Sequence, residues 1–244
     1  MSGHSKWSTI KRKKEKTDAQ RGKIFTKIGR EISVAVKEGG PDPASNSKLK
    51  DIIAKARANN VPGDNIERII KKAAGGDGGA SYEEIVYEGY GPSGVAVIVE
   101  SLTDNRNRTA AEMRHYFDKY GGNLGQSGSV GFLFSRQGLL LVEAKGIDED
   151  TLMEAALDAG AVDFLAEDGI FDIRTEPNDV GRVRESLEAQ GYSFVSAGAE
   201  YIPNTTVALT GEDDIKKMGK LLEMLEDNDD VQEVWHNWEM EEES

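Results

Sequence analysis

GGDGGAS, Gly75 to Ser81, divides this chain into a part with the hydrophobic period of helices and a part with the period of strands. Rich in glycine and poor in apolar side chains, it is a flexible linker by composition and marks a domain boundary. Before it, apolar residues recur every three or four positions; after it they alternate, as in half-buried strands.

Three short amphipathic helices are read upstream, over residues 17–76. The first is capped at Thr17 or Asp18, ends before Gly39-Gly40, and places Ile24, Phe25, Ile28, Ile32, Ala35 and Val36 on one side. At about 100° per residue, Lys23, Lys27, Arg30 and Lys37 fall on the opposite side, which predicts a basic outer face. Pro41-Asp42-Pro43 breaks the chain, and Ser45 or Asn46 starts the second helix. Asp64 with Glu67 reads as a capping box for the third, stopped at Gly75-Gly76.

Downstream, strands are expected at 84–88, 94–102 and 130–135, with a helix at 109–120. A compact series follows: strand 138–144, helix 148–159, strands 162–167 and 170–175, helix 178–190, strand 194–199. That order is βαββαβ, the ferredoxin-like unit, complete in itself. A strand at 205–210, a helix from Glu212 to about Glu226 and a strand at 231–238 lack partners among themselves. Joined to residues 82–135, they complete another domain. The expected fold is α+β and multidomain: a basic arm (1–16), a three-helix bundle (17–76), and two ferredoxin-like α/β domains. The second of these (136–203) is inserted into the first (82–135 plus 204–240).

The formal net charge of -14 conceals an opposition. Residues 1–75 hold 18 Lys+Arg against 8 Asp+Glu, and the remainder 12 against 36. Binding responds to local potential, so an acidic average does not exclude a polyanion partner. With no cysteine, disulfides, thiolate zinc sites and cysteine nucleophiles are excluded. No apolar run approaches the length of a membrane span and no secretory signal is evident, so a cytoplasmic location without membrane contact is expected.

The first 30 residues carry ten Lys+Arg against two Asp+Glu, interleaved with aromatic side chains. Lysine and arginine contacts to phosphates give sequence-independent affinity, and an aromatic ring stacks on an exposed base. The candidate nucleic-acid ligands are His4, Lys6, Trp7, Lys11, Arg12, Lys13, Lys14 and Lys16 on the arm, and Arg21, Lys23, Lys27 and Arg30 on the first helix. Arg106 and Arg108 are candidates for forking onto phosphates; in the alternative, Asp104 or Asn107 simply caps the helix there. Gly121 to Ser129 is a loop whose backbone N–H groups could cradle an anion, although an exposed loop is the commoner meaning. Gly89 to Gly94 spells G-x-G-x-x-G, but a strand follows it where a dinucleotide site needs a helix, so it reads as a strand connection. The histidines His4, His115 and His236 lack metal-ligand spacing, and no catalytic motif is present, so no cofactor, metal or catalytic residue is expected.

GHSKW (3–7), DAQRGKIFTKI (18–28), YEGYGPSGVA (87–96), SLTDNRNRT (101–109) and GGNLGQSGSVGFLF (121–134) resemble the YebC/PmpR family in register. The Lys11 to Lys16 run departs from relatives that carry a histidine and alanines there, with the charge kept. The resemblance implies a three-helix domain followed by two α/β domains, one inserted in the other, and a cytoplasmic regulator of gene expression. It also implies a nucleic-acid partner. That partner is DNA for a transcriptional regulator, or ribosomal RNA for a ribosome-associated translational activator whose acidic domains face basic ribosomal proteins.

Overall fold

The computed structural model describes residues 18–75, 81–167 and 169–239, with side chains of the first helix described from Gly22 onward. The described residues form two compact units, one of residues 134–204 and one of residues 18–133 with 205–239.

In the larger unit, helices α1 (Asp18–Gly39), α2 (Ser47–Ala58) and α3 (Gly63–Ala74) form the bundle. Its core takes Ile28, Ile32, Ala35 and Val36 from α1, Leu49, Ile52, Ile53 and Ala56 from α2, and Ile66 from α3. These are the positions at which the helical period places apolar residues. Asn46 closes the α1–α2 corner. Its side chain accepts from Leu49 N (3.0 Å) and donates to Ala35 O and Gly40 O (both 2.8 Å), so one buried amide caps α2 and satisfies the end of α1. A Cβ on Gly39 would come within 2.7 Å of that amide, which explains the glycine. The expected Asp64–Glu67 capping box does not form: Pro62 occupies the cap position of α3, with no side-chain cap bond. Proline already fixes the φ that starts the helix and offers no N–H of its own.

The same unit holds a four-stranded antiparallel sheet in the order β3-β1-β2-β9. Its strands are β1 (Glu83–Tyr90), β2 (Ala96–Thr103), β3 (Asn123–Leu124) and β9 (Val231–His236). Helices α4 (Arg106–Lys119) and α7 (Glu212–Asp227) cover one face, packing Met113, Phe117, Met218, Leu221 and Leu225 on Val97, Val99 and Val231. Gly89 to Gly94 is a hairpin connection built on a 3₁₀ turn, Pro92–Gly94, which places β1 and β2 side by side at the sheet centre. The third strand is not at 130–135. It is the two-residue β3, which pairs with Gly89 and Tyr90 and is too short to show alternation. Likewise, the strand expected at 205–210 reduces to β8 (Val207–Ala208), which pairs in parallel with β10 (Trp238–Glu239) as a separate ribbon.

Residues 134–204 form the second unit: β4 (Phe134–Glu143), α5 (Glu149–Ala159), β5 (Asp163–Glu167), β6 (Ile170–Thr175), α6 (Val180–Glu188) and β7 (Ser196–Pro203). The antiparallel strand order β5-β6-β4-β7 puts the first and third strands at the centre, as βαββαβ requires. The expected gap between strands at 136–137 is absent, and β4 runs unbroken through Gly138. A Cβ there would lie 2.0 Å from Thr175 Oγ1 and 2.4 Å from Val180, so this glycine marks a close approach and does not break the strand.

Asn46→Ala removes a cap and takes a donor from one buried and one part-buried carbonyl, and should cost roughly 2–3 kcal/mol. Asp64→Ala should change stability by less than about 0.5 kcal/mol. Urea unfolding followed by helical circular dichroism checks both.

Candidate nucleic-acid interface

The arm candidates His4, Lys6, Trp7, Lys11, Arg12, Lys13, Lys14 and Lys16 lie outside the described residues, as does the side chain of Arg21. The remaining candidates have defined surroundings. Lys23, Lys27 and Arg30 do share one face of α1, opposite the bundle core, but each is engaged by another element of the same unit, while Lys37 is exposed. Lys23 pairs with the Asp227 carboxylate (2.9 Å) and Lys27 Nζ donates to Glu226 O (2.7 Å), so two ammonium groups meet the C-terminal end of α7. That end carries Glu223, Glu226 and Asp227 beside its own unsatisfied carbonyls, and cations there relieve both sources of negative potential.

Arg30 reaches further in. Its guanidinium donates to Leu102 O (3.0 Å), stacks over the Tyr82 ring (5.2 Å) and pairs with the carboxylate of Asp230, a residue only 3% exposed. Asp230 also accepts from Arg108 Nη2 (2.7 Å), Thr109 Oγ1 (2.7 Å) and Thr103 Oγ1 (3.2 Å). The carboxylate just before β9 thus ties α1, the end of β2 and the start of α4 together. Burial works against its charge, but the hydrogen bonds from Arg108, Arg30 and Thr109 prevail and bring its pKa down to about 2. Arg108 also pairs with Asp104 (2.9 Å), and Arg106 with Glu83 (2.9 Å). Neither arginine is presented alone to solvent. The cap of α4 is Asn105, which accepts from Arg108 N (3.1 Å), a position between the two caps expected from sequence.

Backbone N–H groups at the end of the glycine loop and just beyond it surround an anion, which is the protein's own. The Glu88 carboxylate accepts from the backbone N–H groups of Gly128 (2.8 Å), Val130 (2.8 Å) and Gly131 (2.7 Å). Burial raises the pKa of Glu88, and these three N–H groups outweigh it, leaving the group below the usual carboxylate range. The loop is held against β1 further by Gly125 N donating to Glu88 O (2.8 Å).

Exposed cations that the sequence reading passed over lie on the bundle: Arg57 on α2, and Arg68, Lys71 and Lys72 on α3. The α3 trio stands at i, i+3 and i+4, the spacing that puts side chains on one helix face. Among the described residues, no group of three or more His, Asp or Glu is arranged to hold a metal ion, and no helix is long and apolar enough to cross a membrane.

A sequence model of the TACO1/YebC protein N-terminal domain matches residues 5–76, and one of the TACO1/YebC second and third domain matches residues 82–238. The chain belongs to the TACO1/YebC family. It is 62% identical over 239 residues to an Acetivibrio thermocellus protein named "probable transcriptional regulatory protein", covering 98% of this chain and 99% of that one. A Finegoldia magna protein of the same name is 60% identical over 241 residues, covering 99% and 100%. The crystal structure of a conserved hypothetical protein from Aquifex aeolicus matches with a TM-score of 0.83 at 47% identity, over 93% of this chain and 94% of that one. The family fold is therefore α+β, with N-terminal helices followed by two β-rich regions, and relatives of full length carry the names of regulators.

Because the Asp230 pKa is depressed, its contribution to stability is present above the unfolded value near 4 and is lost as pH falls toward about 2. After allowance for the half-exposed Arg108, that contribution is about 1–2 kcal/mol. Asp230→Asn should remove the acid dependence between pH 4 and about 2 and cost roughly 3–5 kcal/mol at neutral pH, because two guanidinium groups lose their counter-charge. Unfolding free energies across that pH range check the sign and the size.

Proposed function

We propose that this chain is a cytoplasmic, non-enzymatic regulator of gene expression that binds DNA, with its basic N-terminal stretch as the contact. One observation carries the reading. Positive charge is concentrated at one end of the sequence. Lys23, Lys27 and Arg30 are engaged by Asp227, Glu226 and Asp230, whereas the ten Lys+Arg of the first 30 residues include six at positions 1–16. Exposed Arg57, Arg68, Lys71 and Lys72 add to the potential of the same half. The strongly acidic remainder repels bulk polyanion and so restricts how the duplex approaches. The names of the relatives from Acetivibrio thermocellus and Finegoldia magna favour transcription as the process.

A second reading has an observation of its own. Part of the basic face of α1, read from sequence as a phosphate-contact surface, is engaged by the end of α7, and exposed cations remain on α2 and α3. Such cations suit folded ribosomal RNA as well as duplex DNA. On that reading the protein is a ribosome-associated translation factor, with its acidic domains against basic ribosomal proteins.

Affinities for promoter DNA and for purified ribosomes, measured at one physiological salt concentration, separate the two. Sequence-selective DNA binding at least as tight as ribosome binding is expected. Weak, sequence-indifferent DNA binding beside tight ribosome binding would transfer the function to translation. On either partner, replacing Lys11, Arg12, Lys13 and Lys14 with alanine should flatten the salt slope by up to about four phosphate contacts.

A further inference from the structure

The second and third helices of the bundle meet at a tight turn. Helices α2 and α3 are each 12 residues long and are joined by the four residues Asn59 to Pro62. Asn60 adopts a φ of 58°, the left-handed conformation that asparagine tolerates better than most side chains. The backbone folds back there, with Asn60 N donating to Arg57 O and Val61 N to Ala56 O (both 3.0 Å). Val61 is then buried in the same core cluster as Ile66 of α3, and Pro62 starts that helix. Both helices pack on α1 more than on each other, so they meet chiefly at the turn. Two helices joined by such a turn and braced by another form a helix-turn-helix arrangement, whose second helix enters the major groove of a duplex.

The outer side of α3 is equipped for that position. Ile66, Ile69, Ile70 and Ala73 pack on the core, which turns Asp64, Asn65, Glu67, Arg68, Lys71 and Lys72 outward. Arg68 Nη2 donates to Asn65 Oδ1 (2.9 Å), so each of these side chains holds the other in place. An asparagine amide pairs with the N6/N7 edge of adenine, and a guanidinium with the O6/N7 edge of guanine. Asp64 and Glu67 repel phosphates but accept from the amino group of cytosine, so a face of mixed sign fits the floor of a groove better than a phosphate backbone. Phosphate-type cations flank it: Lys71 and Lys72 in the last turn of α3, and Arg57 in the last turn of α2. All three are exposed and form no ion pair among the described residues.

We propose that α3 is a reading helix for duplex DNA, with Asn65 and Arg68 on base edges and Arg57, Lys71 and Lys72 on the flanking phosphates. This rests on the DNA reading above and deepens it, because it separates selectivity, carried by α3, from bulk affinity, carried by the basic N-terminal stretch. The deep, narrow major groove of A-form RNA does not admit side chains from a helix, so α3 is assigned to DNA alone.

Selection of bound duplexes from a random-sequence DNA library by the full chain tests this, followed by titration of the selected duplex and a scrambled one at the same salt concentration. The wild-type chain should enrich one sequence. Asn65→Ala with Arg68→Ala should lower the preference for it by about tenfold per lost base contact, with affinity for the scrambled duplex nearly kept. Arg68→Lys keeps the charge and loses the fork, so it should lose its share of the preference as well. Unchanged helical circular dichroism shows that these variants are folded. Replacing Lys11, Arg12, Lys13 and Lys14 with alanine should instead weaken both duplexes alike and leave the preference intact. A preference that survives in the double variant, or DNA binding that enriches no sequence, would overturn the role of α3 while the DNA reading stands. No DNA binding by the wild-type chain would overturn both.

Discussion

A single buried carboxylate, Asp230, organises the larger unit of this protein. Taking an isolated charge out of water is prohibitive, so the chain must bring donors to it from wherever they lie. It does so from three places: Arg30 on α1, Thr103 at the end of β2, and Arg108 with Thr109 in the first turn of α4. The four donors come from three different elements, so the network fixes how the helical bundle seats against the sheet. Lys23 and Lys27 extend the same contact along α1 to the end of α7, where they answer carbonyls that a helix cannot satisfy itself.

The opposition of charge along the chain thereby acquires a partial structural account. Some of the acidic excess is internal counter-charge: Asp227 and Asp230 for α1, and Glu88 for the N–H groups of the glycine loop. In each case a feature that resembles an anion-binding surface in isolation is already filled by a carboxylate of the same molecule.

Much of the architecture was legible from the chain alone. The switch of period at Gly75 to Ser81 separates the bundle from the sheets, and the βαββαβ order of residues 134–203 is visible because each element is long enough to show its pattern. Two-residue strands such as β3 and β8 are not, since alternation needs several residues to declare itself. Gly138 misled because glycine in a strand signals either a break or a close approach, and only the neighbours, here Thr175 and Val180, decide which. The role of the α1 cations was hidden for a similar reason. The helical wheel places Lys23, Lys27 and Arg30 away from the bundle core, but it does not say whether that side meets water. The one available signal was the acidic run Glu226 to Asp230 at a helix C-terminus, a place where negative charge is unfavourable without cations from elsewhere.

The central claim is that the basic face of α1 holds the protein together while the binding charge lies elsewhere. It is tested most directly by the double variant Lys23→Gln, Lys27→Gln, followed by both nucleic-acid titration across salt and chemical unfolding. The account predicts a small loss of stability, about 1 kcal/mol for exposed and half-exposed pairs, with an unchanged salt slope of binding. A salt slope lowered by about two contacts with stability unaffected would contradict it, returning α1 to the binding surface.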